Sequence, residues 1–279
     1  MTRSVRRTRR TLQVAGASVA ALLALSACSS SSSSSDDNSS AKTKSDTSSS
    51  ASPKLSGSIT VFAAASLKES FTTLKADFEK AHPGTAVTFS FGGSDTLAAQ
   101  ITSGAPADVF AAASAKTMAL VTAKNDTATT PATFVRNQLE IATLPGNPDK
   151  ISSLKDLTKS SLKVVLCDRT VPCGAAAQKA LDAGKLKLTP VSYEEDVKSA
   201  LNKVVLKEAD AAVVYKTDVK AAGSKVDGVE FPESANAINE YPIALLKNAP
   251  NPTVAKAFIT LVQSAEGQQV LNEAGFLKP

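Results

Sequence analysis

Two serines in this chain stand where a strand-like run gives way to a helix-like one, a position suited to holding an anion. Ser66 lies in Val61-Phe62-Ala63-Ala64-Ala65-Ser66-Leu67 and opens a segment with apolar residues at Leu67, Phe71, Leu74 and Phe78, the spacing of one helical face. Ser94 follows Gly92-Gly93, which permits close backbone approach, and precedes Asp95-Thr96-Leu97-Ala98. The first N–H groups of a helix have no internal acceptor and carry partial positive charge. Such a turn can therefore bind an oxyanion without lysine or arginine. Plain capping competes at both positions: Ser66-x-x-Glu69 also reads as a capping box, and either Ser94 or Asp95 can cap the helix that follows.

Other chemistries find little support. His82 is the only histidine and sits in Ala81-His82-Pro83-Gly84, a helix-ending turn, which makes a Ser/His or Cys/His dyad a poor fit. No His/Cys/Asp set has zinc spacing, and neither a Walker A loop nor a dinucleotide glycine fingerprint is present.

The N-terminus carries targeting signals. Arg3, Arg6, Arg7, Arg9 and Arg10 precede an apolar run from Leu12 to Ala24, which is short for a bilayer span and reads as a secretory signal over residues 1–27. It ends in Leu25-Ser26-Ala27-Cys28, similar to a lipobox, so Cys28 is expected to become the lipidated N-terminus. That places the mature protein outside the cytoplasm, anchored to the outer face of the cell membrane by lipid alone. From Ser29 to Ser52, 14 of 24 residues are serine, a composition that cannot bury enough surface to order itself; residues 28–54 are read as a tether. The full chain has 31 Lys+Arg against 26 Asp+Glu, but the five arginines of residues 1–27 account for the whole excess. The remainder is neutral, and no nucleic-acid partner is implied.

Beyond the tether, strand-like runs at Ile59–Phe62, Ala86–Phe91, Val109–Ala111, Leu139–Ala142, Lys163–Leu166, Ala211–Val214 and Ile243–Leu246 alternate with helical patterns, which favours parallel βαβ units. With Cys28 set aside, Cys167 and Cys173 form an even pair in an oxidising compartment. A disulfide is expected, two free thiols being the alternative.

The serine motifs, with Gly104-Ala105-Pro106-Ala107-Asp108-Val109-Phe110, resemble those of the molybdate-binding solute receptors of ABC importers, and the resemblance extends over residues 58–279. It implies a type II periplasmic-binding-protein fold of two α/β lobes, residues 55–136 plus 242–279 and residues 137–241. A double crossover hinge would join them near Arg136–Glu140 and Glu240–Ile243. The resemblance also implies a ligand set. Val171-Pro172-Cys173-Gly174 stands where the related receptors carry Val-Pro-Ala-Gly and bind through the third backbone amide, here Cys173; a main-chain donor tolerates the change of side chain. Glu195-Asp196-Val197 matches an element that binds through the valine amide, with Glu194, Glu195 and Asp196 expected in the first turn of a helix. Tyr215, ending Val213-Val214-Tyr215, would donate its phenol proton.

Together with Ser66 and Ser94 these make five neutral donors for molybdate or tungstate. The implied protein is a monomeric receptor, without cofactor or catalytic activity, that delivers its ligand to permease subunits. The alternatives are a receptor for another tetrahedral oxyanion such as sulfate, and a secreted thiol-dependent enzyme using Cys173.

Overall fold

The computed structural model describes residues 54–279; the signal segment 1–27, Cys28 and all but the last residue of the tether lie outside the described residues. The chain builds two five-stranded sheets in succession. The first begins with β1 (Gly57–Ala64), α1 (Lys68–Ala81), β2 (Thr85–Gly92), α2 (Ser94–Thr102), β3 (Val109–Ala111), α3 (Ala115–Thr122) and β4 (Ala132–Asn137). The second holds β5 (Leu139–Thr143), β6 (Val164–Cys167), α4 (Pro172–Ala183), β7 (Ser192–Glu194), α5 (Val197–Val205), β8 (Ala211–Tyr215), α6 (Lys216–Ala222) and β9 (Asp227–Val229). The chain then returns through β10 (Asn239–Leu245) to the first sheet and ends in α7 (Pro252–Gln263) and α8 (Ala265–Glu273).

Strand order is β2-β1-β3-β10-β4 in one sheet and β7-β6-β8-β5-β9 in the other. The βαβ units pair in parallel as their alternation requires, β1 with β2 and β3, and β6 with β7 and β8. Both sheets also contain antiparallel pairs that a purely parallel reading omits: β10 runs against β3 and β4, and β5 against β8 and β9. These are the strands by which the chain leaves or re-enters each sheet.

Both faces of the first sheet are covered, which is why β1 reads as a continuous apolar run instead of alternating. Ile59, Val61 and Ala63 pack with Phe71, Leu74, Phe78 and Phe258 on one side, while Phe62 packs with Leu97, Ile101, Phe110 and Met118 on the other. The second sheet has its own core, built around Ile141, Val165, Val213, Leu181 and Leu201.

The chain leaves the first sheet through a single residue and returns through a short turn that follows β9. Asn137 ends β4 in the first sheet and Leu139 begins β5 in the second, leaving only Gln138 between them. On the way back, Ile238 alone separates the turn Pro232–Ala237 from β10. The sequence places Asn239–Tyr241 with residues 137–241, yet Asn239, Glu240 and Tyr241 pair with Asn137, Arg136 and Val135 in the first sheet. β10 starts three residues ahead of the expected boundary at 242. Its polar opening Asn239-Glu240 conceals it, because a strand beginning at a crossover has no apolar run to announce it.

Candidate functional site

Ser66, Ser94, Cys173, Val197 and Tyr215 line one cavity between the sheets, together with Ala113 and Asp196. The space open to the centre of a water-sized sphere is about 20 Å³. Four of the five residues stand at helix starts or at the turn before one, and the fifth ends a strand, so each is placed by an element boundary.

Ser66 sits in the short 3₁₀ turn Ala65–Leu67, and α1 starts after it with Leu67 as its cap residue and no side-chain cap. The capping-box reading is thereby overturned: the extra half-turn moves Ser66 off the cap position, and Glu69 reaches Lys198 instead. The Ser66 hydroxyl lies 2.8 Å from the Tyr241 hydroxyl. The side-chain amide of Asn137 donates to that phenol oxygen at 3.3 Å. Either hydroxyl of the Ser66–Tyr241 pair can be the donor, and with Tyr241 donating, Ser66 keeps its own proton for the cavity. Ser94 behaves alike. It is the first residue of α2, capped by Gly93, and its Oγ accepts the Ala113 N–H at 3.0 Å, so it too caps nothing and retains a free hydroxyl proton.

Cys173 is the second residue of α4, after Pro172 at the first position, where proline suits the helix geometry and lacks an N–H to satisfy. The Cys173 amide is one of the helix's unsatisfied donors. Its side chain is bonded to Cys167 in a disulfide with Cα atoms 5.8 Å apart, which braces the loop between β6 and α4. The bridge removes the thiol that the Cys173 enzyme reading requires. Val197 opens α5, whose cap is Asp196, with Oδ1 accepting from Ser199 N at 2.9 Å. Glu194 closes the polar strand β7, and Glu195 and Asp196 precede the first helical turn, so the three acids are not in that turn.

Tyr215 closes β8, is 1% exposed, and accepts a hydrogen bond from Asn239 Nδ2 at 2.6 Å. Burial raises the Tyr215 phenol well above its ordinary range, and burial raises Tyr241 likewise. Both stay protonated at any physiological pH. Among the described residues no lysine, arginine or histidine lines the cavity, and its one charged residue, Asp196, is occupied as a helix cap.

Charge instead gathers beside the cavity. Lys198 of α5 lies 2.8 Å from Glu69 on α1 and 3.0 Å from Asp218 on α6, so this ion pair links an element of one sheet to two of the other. Burial alone would depress the Lys198 ammonium, but Asp218 and Glu69 outweigh it and hold it above its usual value. Asp218 is fully enclosed, and burial lifts its carboxyl from 3.8 to about 6 despite the attraction of Lys198. The folded chain therefore holds this proton more tightly than the unfolded one. Stability attributable to Asp218 is unaffected below pH 4 and falls as pH rises from there through about 6. Denaturant melts of wild type and Asp218→Asn at pH 4, 5, 6 and 7 are expected to show a stability difference that changes across this window. Parallel curves would contradict the assignment.

Tyr241, Asn137 and Asn239 escape sequence reasoning. The only signal was their position at the two crossovers, where Asn137 and Asn239 pair directly.

Residues 59–277 match the family described as bacterial extracellular solute-binding protein. The chain is 44% identical over 222 residues to the molybdate-binding protein ModA of Mycobacterium tuberculosis, covering 80% of this chain and 85% of that one. It is 35% identical over 234 residues to the molybdate-binding protein ModA of Escherichia coli, covering 79% and 89%. The periplasmic molybdate-binding protein of Azotobacter vinelandii shares the fold, with a TM-score of 0.70 over 79% of this chain and 99% of that one at 20% identity. With a family match across most of its length and relatives at this level of identity, the chain belongs to the bacterial extracellular solute-binding proteins.

Proposed function

We propose that this protein captures molybdate, or tungstate, as a single ion between two lobes and passes it to the permease subunits of an ABC importer. It acts as a receptor and not as an enzyme. The lobes correspond to the two sheets, residues 55–137 with 239–279 and residues 139–237. Cleavage before Cys28 and its lipidation would hold the protein at the outer face of the membrane.

The observation that carries this reading is the convergence, from both sheets, of neutral donors on one small cavity without a facing cation. Three hydroxyls, Ser66, Ser94 and Tyr215, each have an oxygen engaged from behind and a proton to give. The amides of Cys173 and Val197 complete the set from helix starts. Fixed dipoles cannot adapt their charge to the ligand, so size and shape must discriminate. The open space is small, of the scale that admits a single small ion and not an extended solute. Hydrogen bonds to a charged partner contribute about 1.5–3 kcal/mol each, so five give a gross gain of about 7–15 kcal/mol. Micromolar binding needs about 8 kcal/mol after ordering costs. A cation is not required.

Thermal unfolding tests the reading. Molybdate and tungstate at about a hundred times their dissociation constant are expected to raise the melting temperature by about 5–10 °C. Sulfate at the same concentration is expected to do far less, and an equal shift would overturn discrimination by size. The 44% relative named for molybdate binding supports the same assignment.

A further inference from the structure

We infer that Asn239 is a positioning residue that fixes Tyr215 as a pure hydrogen-bond donor, and through it sets the site's preference for a fully deprotonated oxyanion. This rests on the proposed oxyanion function. Asn239 is 7% exposed and opens β10 at the return crossing. Its Nδ2 lies 2.9 Å from the carbonyl oxygen of Ala113, 3.3 Å from that of Pro172 and 2.6 Å from the Tyr215 hydroxyl.

Two of these neighbours settle the orientation of the amide. Carbonyl oxygens only accept, so the group facing them must be the NH₂ and not the carbonyl of the side chain. One N–H is shared by the two carbonyls and the other points at Tyr215. The phenol oxygen therefore accepts from Asn239, and its proton is directed away from Asn239, toward the cavity that Tyr215 lines and the neighbouring Tyr241 hydroxyl. Remove the amide and the phenol has the Ala113 carbonyl, left without its Asn239 partner, and the second lone pair of the Pro172 carbonyl nearby. It would turn to them, because a buried hydroxyl and a buried carbonyl left unpaired are each costly.

The same side chain also steadies other donors. Ala113, held through its carbonyl, gives its N–H to Ser94 Oγ, and Pro172 precedes the Cys173 amide in α4. Asn239 thus stands behind donors of both sheets without itself lining the cavity. A phenol that presents its proton to the ligand meets the O–H of hydrogen phosphate donor to donor. Molybdate and sulfate are fully deprotonated at neutral pH and suffer no such mismatch.

The test is a double-mutant cycle read by calorimetric titration with molybdate, tungstate, sulfate and phosphate on wild type, Asn239→Leu, Tyr215→Phe and the double variant. Asn239→Asp, equal in shape, is titrated alongside in case the leucine variant folds poorly. Its carboxylate would draw the phenol proton toward itself. Each single substitution is expected to weaken binding of the preferred ion by about 10- to 100-fold, the loss of one charge-assisted hydrogen bond. The double variant should lose clearly less than the sum of the two single losses, any remainder beyond Tyr215→Phe reporting the Ala113 and Pro172 contacts. Asn239→Leu should also narrow the ratio of preferred ion to phosphate. Additive losses with an unchanged ratio would overturn the inference and leave Asn239 a hinge contact only. A wild type that prefers sulfate would defeat the molybdate reading while the cycle still decides the role of Asn239, and a wild type that binds none of the four ions would defeat both.

Discussion

Replacing Ser66 and Ser94 together by alanine is expected to weaken oxyanion binding by about 10² to 10⁴-fold, to the edge of detection, while the chain still folds. Each hydroxyl supplies one hydrogen bond to a charged ligand, at about 1.5–3 kcal/mol, and the two come from separate helix starts on the same sheet. The substitutions also deprive the Ala113 N–H and the Tyr241 phenol of partners, so a stability loss of about 1–3 kcal/mol accompanies the loss of binding. Neither serine caps a helix, and the helices themselves should persist. Circular dichroism reads the fold and calorimetry the affinity. Wild-type affinity in the double variant would place the ligand elsewhere.

Gly93→Ala is expected to separate folding from lobe closure. Gly93 has φ −59° and ψ 129°, a conformation open to any residue, so its glycine is required by space and not by backbone strain. A Cβ there would come within 2.6 Å of the Glu195 carbonyl oxygen, a backbone atom on the other sheet's side of the cavity. The Cβ would also lie 2.9 Å from Asp95 Oδ1 on its own side, but that is the end of a flexible side chain that can move aside, whereas the backbone clash exists only when the two sides meet. Overpacking of this kind costs about 1–3 kcal/mol, which predicts a 10- to 100-fold loss of affinity with an unchanged melting temperature in the absence of ligand. Gly174→Ala differs in kind, since its Cβ would fall 1.9 Å from the Asp168 carbonyl oxygen within the same loop. That variant should lose stability whether or not ligand is present. A Gly93→Ala protein binding as tightly as wild type would show that the cavity need not close in this geometry.

What the sequence conveyed and what it hid follow from the range of the interactions involved. The seven strands read from it have apolar runs because they lie inside a sheet or, for β2, against the Phe71 and Phe258 core. The three it missed, β4, β7 and β9, are all sheet edges, and β7 (Ser-Tyr-Glu) and β9 (Asp-Gly-Val) are three-residue strands without an apolar run. A strand buried on one side only, or hardly at all, needs no apolar run. The site divides in the same way. Ser66, Ser94, Cys173, Val197 and Tyr215 each occupy a local boundary with its own glycine, proline or apolar signature. Tyr241 and Asn239 act through contacts 175 and 126 residues away, to Ser66 and Ala113, and no local pattern announces such pairings. The competing capping-box pattern at Ser66 is not realised, because the 3₁₀ turn moves Ser66 off the cap and Glu69 pairs with the distant Lys198.

Calorimetric titration of the mature protein with molybdate, repeated with sulfate and phosphate, decides whether neutral donors in the cavity between the sheets hold one tetrahedral oxyanion. One ion per chain is expected, with a dissociation constant of about 1 μM or tighter for molybdate and values at least about 100-fold weaker for the other two. No heat with molybdate, or sulfate bound equally well, would refute that arrangement.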